Sequence, residues 1–277
     1  VNPGLYDSIP DAEYHDGLGV GERPLSSTLA KALLFESPAE AIYGIQHRRD
    51  TEAFAFGRLV HELTLEGEVR TFFDTGLEYR RGNDWAEVCK VAAEAGRTPV
   101  TSRQMADAQA IASAVHAHPV ARDLLSVGRP EVSAFAHDVE HGIDLQARFD
   151  WLRDPEGEWP VVVDLKTTAG TANPRAFNRS IGTFRYHLQG AFYRRVYELV
   201  AGKVPAFVWV VVSKEPPHAV SVIRLSDKDA DTGLSLVNKA AETYARCLAE
   251  QRWPGHESIY TSSLPVWADF EAEEVTA

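Results

Sequence analysis

Through the first 125 residues, apolar positions recur at the spacing of amphipathic helices. Ser26 or Ser27 can cap a helix through Leu29, Leu33 and Leu34, and Ser37-Pro38 opens another through Ala41, Ile42 and Ile45. Thr51 can cap a third, from Phe54 to Leu65. After a polar stretch from Thr75 to Asp84, the spacing predicts helices from Trp85 to Ala95 and from Ser102 to His116, the latter opened by Thr101 or Ser102. The pattern then alternates, predicting strands at Val132 to Val139, Ile143 to Trp151 and Pro160 to Leu165. Glu140-His141-Gly142 and Asp154-Pro155-Glu156-Gly157 separate them as turns suited to antiparallel neighbours. A helix follows from Thr183 to Val200, with Leu188, Phe192, Val196 and Leu199 on one stripe. Strands Ala206 to Val212 and Ala219 to Leu225 and a last helix from Asp227 to Gln251 complete the pattern.

This order predicts an α/β fold, a mixed sheet flanked by helices. Three regions of a single integrated domain are expected: a mainly helical one over 1–125, a core over 126–254 and an acidic tail over 255–277. The chain has 277 residues, 44% hydrophobic and 25% charged, which is ordinary globular usage and excludes a disordered, collagenous or coiled-coil chain. No apolar run approaches the roughly 18 residues of a membrane span. Val1-Asn2-Pro3-Gly4 is not a basic segment followed by an apolar stretch, so a cytoplasmic protein is expected. Cys89 and Cys247 stand far apart, which argues against a disulfide framework or a cysteine metal site.

A net charge of −12 argues against nucleic acid until its distribution is considered. Residues 1–16 (Asp7, Asp11, Glu13, Asp16) and 255–277 (Glu257, Asp269, Glu271, Glu273, Glu274) carry no Lys or Arg and contribute −4 and −5, leaving −3 for the interior. Neither end shows a helix or strand period, so both are expected to lie outside the catalytic unit. Residues 171–203 set Arg175, Arg179, Arg185, Arg194, Arg195 and Lys203 against Glu198 alone, a basic face on an acidic chain.

Candidate chemistry centres on Val161-Val162-Val163-Asp164-Leu165-Lys166. A buried β-branched run ends in an acid and a base two residues apart, which a strand puts on one face while Leu165 points to the core. On the preceding strand Gln146, Arg148 and Asp150 share a face opposite Leu145, Ala147 and Phe149. If the two strands pair as a hairpin, Asp150 and Asp164 converge into a hard oxygen site of the kind Mg²⁺ or Mn²⁺ prefers. The plainer alternative is a surface ion-pair cluster with Arg148 as partner.

Gly57-x-x-x-His61, Asp150, Asp164-Leu165-Lys166 and Gln189-x-x-x-Tyr193 together resemble the RecB-related branch of the PD-(D/E)xK nucleases, which have a restriction-endonuclease-like fold. The nearer resemblance is to RecE-type exodeoxyribonucleases (exodeoxyribonuclease VIII), from Ser26 to Leu65 and from Arg129 to Leu225. The resemblance implies metal ligation by Asp150, Asp164, the Leu165 carbonyl, His61 and, by a looser match, Glu131. It makes Lys166 the catalytic lysine and puts Gln189 and Tyr193 beside the site. Gly57 would let the His61 helix approach the metal, and Gly190 would admit a backbone or substrate. Arg148, Arg175, Arg179 and Arg185 would contact DNA.

The implied activity is Mg²⁺-dependent digestion of linear duplex DNA from 5′ ends, with Mn²⁺ able to substitute. It would leave 3′ strands for a RecT-like annealing protein in recombination, in a bacterial or phage-infected cell, by a homo-oligomer that could form a ring. Alternatives are a site- or structure-specific endonuclease of the same fold and a non-catalytic DNA-binding protein. A Cas4-like nuclease is excluded because it needs four cysteines for its iron–sulfur cluster.

Overall fold

The computed structural model describes residues 2–7, 9–10, 13–14, 23–47 and 51–263; Asp11, Asp16 and the acidic tail from 264 onward lie outside them. A short strand β1 (Gly4–Tyr6) precedes helices α1 (Ser27–Phe35), α2 (Pro38–Gln46) and α3 (Glu52–His61), and α3 continues into a π turn (Glu62–Glu66). Strand β2 (Phe72–Asp74), α4 (Gly82–Glu94), β3 (Thr98–Val100), α5 (Ser102–Ala117) and α6 (Pro119–Leu124) come next. Then follow β4 (Arg129–Asp138), β5 (Ile143–Arg153), β6 (Val161–Thr168), α7 (Pro174–Thr183), α8 (Tyr186–Ala201), β7 (Ala206–Ser213), β8 (Val220–Arg224) and α9 (Asp227–Glu250).

The helices start where side chains can satisfy their free amides. Ser26 accepts from Leu29 N at α1, Thr51 from Phe54 N at α3, and Ser37 with Glu40, like Thr101 with Gln104, forms a capping box. The strands form a six-stranded sheet in the order β1-β4-β5-β6-β7-β8, antiparallel except where β6 and β7 run parallel; β2 and β3 pair separately. Core residues of α1, α8 and α9 cover one face, and those of α3 and α5 cover the other. Central β7 is buried on both faces, so its sequence is a continuous apolar run and not an alternation. This is the mixed sheet with flanking helices that the pattern predicts.

Several local expectations need correction. The helix expected from Phe54 to Leu65 is α3 plus the π turn, and the one expected from Thr183 to Val200 is α8, preceded by the unanticipated α7. That helix carries an Asn173 cap and Pro174, but its apolar face is too sparse to give a period: only Phe177 is buried. Strands β1, β2 and β3 are three residues each, too short for an alternation to register. The N-terminal acidic segment is not separate from the sheet: β1 pairs with β4, and Asp7 accepts from Arg129 at 2.8 Å. Gly57 makes no close approach, since a Cβ there would meet nothing within 4 Å. Gly190 does, but to packed side chains and not to a backbone: its Cβ would lie 2.8 Å from Leu225 Cδ2 and 2.9 Å from Phe207 Cδ1.

The sheet splits beside Asp150. The β4–β5 register runs through Arg129↔Leu152 and Pro130↔Trp151 and resumes at Val132↔Phe149, passing over Glu131 and Asp150. On the other side β5 pairs with β6 only at Trp151 to Arg153. Beyond that point the segment before α1 takes the vacated edge of β5: Leu25 N donates to the Asp144 carbonyl at 2.7 Å, and Gln146 N to the Leu25 carbonyl at 2.9 Å. Strands β5 and β6 therefore diverge from Asp150 and Asp164 onward, and α1 is anchored beside the opening.

Gly190→Ala forces a methyl into a filled interface and is expected to destabilise the protein by about 1–3 kcal/mol. Gly57→Ala, in open space within a helix, is expected to stabilise it by about 0.5–1 kcal/mol. Urea unfolding midpoints of the two variants check both, and the reverse order would contradict this packing.

Candidate active site

The split in the sheet leaves the Leu165 amide without a strand partner, and Asp150 replaces that partner. Its Oδ2 accepts the Leu165 N–H at 2.8 Å, which fixes the carboxylate at the fork. Glu131 comes to the same place from β4, at the position that the ladder omits. Its φ of 50° is a left-handed conformation that a non-glycine residue adopts at a cost of order 1–3 kcal/mol. His61, the last residue of α3, reaches across from the other layer: Nε2 lies 2.9 Å from the Leu165 carbonyl oxygen and Nδ1 3.7 Å from Asp150 Oδ2. Ligand atoms of His61, Glu131 and Asp150 all fall within 4.8 Å of one another.

Asp164 stands beside this group on the opposite face of β6 from Leu165. Its side chain is 0% exposed, with Lys166 Nζ 2.6 Å from Oδ2 and Gln189 Nε2 donating to Oδ1 at 2.9 Å. Burial pushes the Asp164 carboxyl up to about 6, against the pull of Lys166 and with the help of the nearby Asp150 charge. Burial alone would lower Lys166, but Asp164 and Asp150 outweigh it and hold the ammonium above its ordinary range. Gln189 and Tyr193, one turn apart on α8, face the same pair. Burial, together with the Tyr14, Asp150 and Asp164 charges, raises the Tyr193 phenol well above 10, so it stays protonated.

The arginines expected to contact DNA divide. Arg175 and Arg179 are exposed on α7. Arg185 begins α8 in a left-handed conformation, and Arg148 turns toward the N-terminal segment: Nε donates to Ser133 Oγ at 3.1 Å, Nη2 donates to the Ile9 carbonyl at 2.8 Å, and the guanidinium lies 4.1 Å over Tyr14.

Three further residues were not singled out by their sequence. Lys31, the one charged residue of α1, faces the pair; burial and Lys166 lower its pKa to about 8 while Asp164 raises it. A lone charge on an otherwise apolar helix was the available signal. Tyr186 lies under Lys166, whose ammonium is 5.1 Å from the ring centroid. Glu62, buried in the π turn, accepts from Arg70 N at 2.9 Å, from Thr71 N at 3.2 Å and from the Thr71 hydroxyl, and so locks the helix end that presents His61. Its partners lie across a loop, where no periodicity points to them.

Carboxylates, a main-chain carbonyl and one imidazole form a donor set that fits a hard divalent cation with some tolerance for nitrogen, such as Mg²⁺ or Mn²⁺. A second group, Asp138, Glu140 and His141, sits at the β4–β5 turn. There Asp138 is satisfied by His141 Nδ1 at 2.8 Å, by the Glu140 amide at 3.3 Å and by Arg195 at 3.7 Å, which accounts for it as a hairpin lock. Among the described residues no helix is long and apolar enough to cross a membrane.

Residues 26–261 match the family model described as a PDDEXK-like domain of unknown function (DUF3799). No curated protein matches the chain. Among solved structures, that of a "putative exonuclease" from Eubacterium rectale superposes with a TM-score of 0.63 at 13% identity, over 94% of this chain and 97% of that one, a likeness of fold. The structure of SSO0001 gives a TM-score of 0.31 at 11% identity, over 73% of this chain and 87% of that one, too low to bear on the fold.

An acid whose pKa is raised by folding holds its proton more tightly in the native state. The Asp164 contribution to stability is therefore greatest below its ordinary 3.8 and falls as pH rises toward about 6. Urea unfolding with a chelator present should show this fall in the wild type and a flatter profile in Asp164→Asn. Identical slopes in the two proteins would contradict the assignment.

Proposed function

We propose a metal-dependent nuclease, from the premise that this chain belongs to the family of PDDEXK-like domains of unknown function (DUF3799). The observation that carries the proposal is the convergence, at the split between β5 and β6, of Asp150, His61, Glu131 and the Leu165 carbonyl beside the buried Asp164–Lys166 pair. Asp150, His61, Glu131 and the Leu165 carbonyl would hold the ion; Asp164, expected from the sequence as a further ligand, has Oδ1 taken by Gln189 and Oδ2 by Lys166, and would join them only by giving up the Lys166 contact. A divalent cation bound there supplies a lowered pKa for water and charge neutralisation at the phosphate.

The chain's own groups do the rest. Lys166 presents a protonated ammonium at the end of β6, where it orients a water and offsets charge building on the phosphate. Gln189 fixes Asp164 through Oδ1, leaving the other oxygen toward Lys166. Asp150 is oriented by the Leu165 amide and His61 by the Glu62-locked helix end, so both are positioned before substrate arrives. Arg175 and Arg179, exposed on α7, offer phosphate contacts that carry no base information, which suits cleavage independent of sequence.

The finer reading is an exonuclease on linear duplex DNA. It is supported by the sequence resemblance to RecE-type enzymes and by the description of the Eubacterium rectale relative in fold. On that reading the enzyme works 5′ to 3′ as a homo-oligomer, and the 3′ strands it leaves pass to a RecT-like annealing protein.

End-labelled linear duplex and closed circular DNA, each with Mg²⁺, Mn²⁺ or chelator, test the proposal. Metal-dependent loss of the 5′ label with circles intact is expected; cutting of closed circles would assign an endonuclease instead. Lys166→Ala is expected to lower cleavage by at least about 100-fold while duplex binding persists, as for loss of one group that stabilises charge in the transition state. Activity within a few-fold of wild type would remove Lys166 from the chemistry. His61→Ala is expected to lower cleavage by roughly 10- to 100-fold, with partial recovery at higher Mn²⁺. Reduced melting temperature with unaltered metal dependence would make His61 a packing residue.

A further inference from the structure

Two exposed aromatic rings, Phe35 and Phe184, are linked to Lys166 through Arg185 and Tyr186. Phe35 ends α1 and is 46% exposed, and Phe184, between α7 and α8, is 56% exposed. The Arg185 guanidinium lies 4.4 Å over the Phe35 ring, and the Phe184 and Tyr186 ring centroids are 5.5 Å apart at 32°. Tyr186 in turn lies under the Lys166 ammonium, at 5.1 Å, and stacks on the buried Phe177 at 5.9 Å, which anchors it. Lys31 is one helical turn before Phe35 and so shares its face of α1. Arg185 holds this junction with a left-handed backbone, φ 55°, and an Nη1 bond to the Gly182 carbonyl at 2.7 Å.

We propose that Phe35, Phe184 and Tyr186, with Lys31, Arg185 and Lys166, form a binding surface for the unstacked bases of a single nucleic-acid strand. Arg185 and Lys31 supply the positive charge that a phosphate chain needs, while the Lys166 charge is shared with Asp164. The rings supply the sequence-tolerant stacking that single-strand binding uses. Bases inside a duplex already stack on one another and offer no free face; only a frayed end or a single strand can cover two exposed rings. The polymer is inferred from the nuclease reading, and the surface adds a substrate form to it: a strand opened from its complement at the metal site.

The test measures binding without cleavage, on the full chain in chelator, by anisotropy of a fluorescein-labelled single-stranded oligodeoxythymidine and of a blunt duplex of equal length. Phe35→Ala and Phe184→Ala, at exposed positions, are expected to weaken the single strand by about 5- to 150-fold each, as for loss of one stacked base. Duplex binding should change less than about two-fold, because its phosphate contacts are retained. Phe35→Tyr and Phe184→Tyr keep a stacking ring and should retain wild-type binding, which separates loss of stacking from misfolding.

Wild-type affinity in both alanine variants would overturn the proposal, as would equal weakening of single strand and duplex. These outcomes are distinct from failure of the nuclease reading. Ring-dependent single-strand binding by a wild type that cleaves nothing would leave this surface standing and remove the nuclease. Metal-dependent cleavage with no ring dependence would do the reverse.

Discussion

Burying the Asp164 carboxylate away from solvent costs several kcal/mol unless charge and hydrogen bonds compensate, and the surrounding elements are arranged to supply both. Lys166, two residues on along the same strand face, supplies the charge, and Gln189 from α8 supplies the hydrogen bond. The second partner is not local: it requires α8 to dock on the sheet in one register. That docking is close because Gly190, the residue after Gln189, has no side chain to hold α8 away from Phe207 and Leu225. Removing either partner would leave a buried charge only half compensated, so the geometry of the site and the packing of α8 are one constraint.

The fork in the sheet follows from the opposite economy, in which pairing is given up so that side chains can converge. A continuous β5–β6 ladder would use the Leu165 amide for backbone pairing; here the Asp150 carboxylate takes it. The β4–β5 ladder likewise passes over Glu131 and Asp150. Each interruption releases a carboxylate-bearing residue from the regular alternation of the pleat. The strained backbone of Glu131 is therefore located where a local departure from sheet geometry brings an acid toward a shared centre.

The two helical layers contribute unequally but jointly. The layer with α3 brings His61 to the Leu165 carbonyl, and its precision depends on Glu62 tying the π turn to the following loop. The layer with α1, α8 and α9 brings Gln189, Tyr193, Tyr186 and Lys31 to the other side of β6. The site thus lies at the open end of a strand pair whose two faces are covered by different parts of the chain, which is why residues from position 31 to position 193 meet there.

Local pattern was sufficient for much of this. Alternation and helical spacing located the long strands and most helices, the N-terminal caps of α1, α2, α3 and α5 were readable as Ser or Thr before apolar runs, and Asp164 and Lys166 necessarily share a face because a strand repeats every two residues. Family resemblance, carried by residues far apart in the chain, pointed to His61, Asp150 and Gln189 before their convergence could be seen. What sequence could not decide were features set by distant partners. The short strand β1 exists because β4 offers it an edge, Gly57 and Gly190 look alike until their neighbours are known, and Arg148 reads as a surface cation until Ile9 and Ser133 engage it. Glu62, Phe35 and Phe184 lack any periodic signature, because their roles come from groups brought near them in space. Secondary structure is encoded in neighbours along the chain, whereas the fork, the buried charge and its compensation exist only once the sheet and both helical layers are assembled.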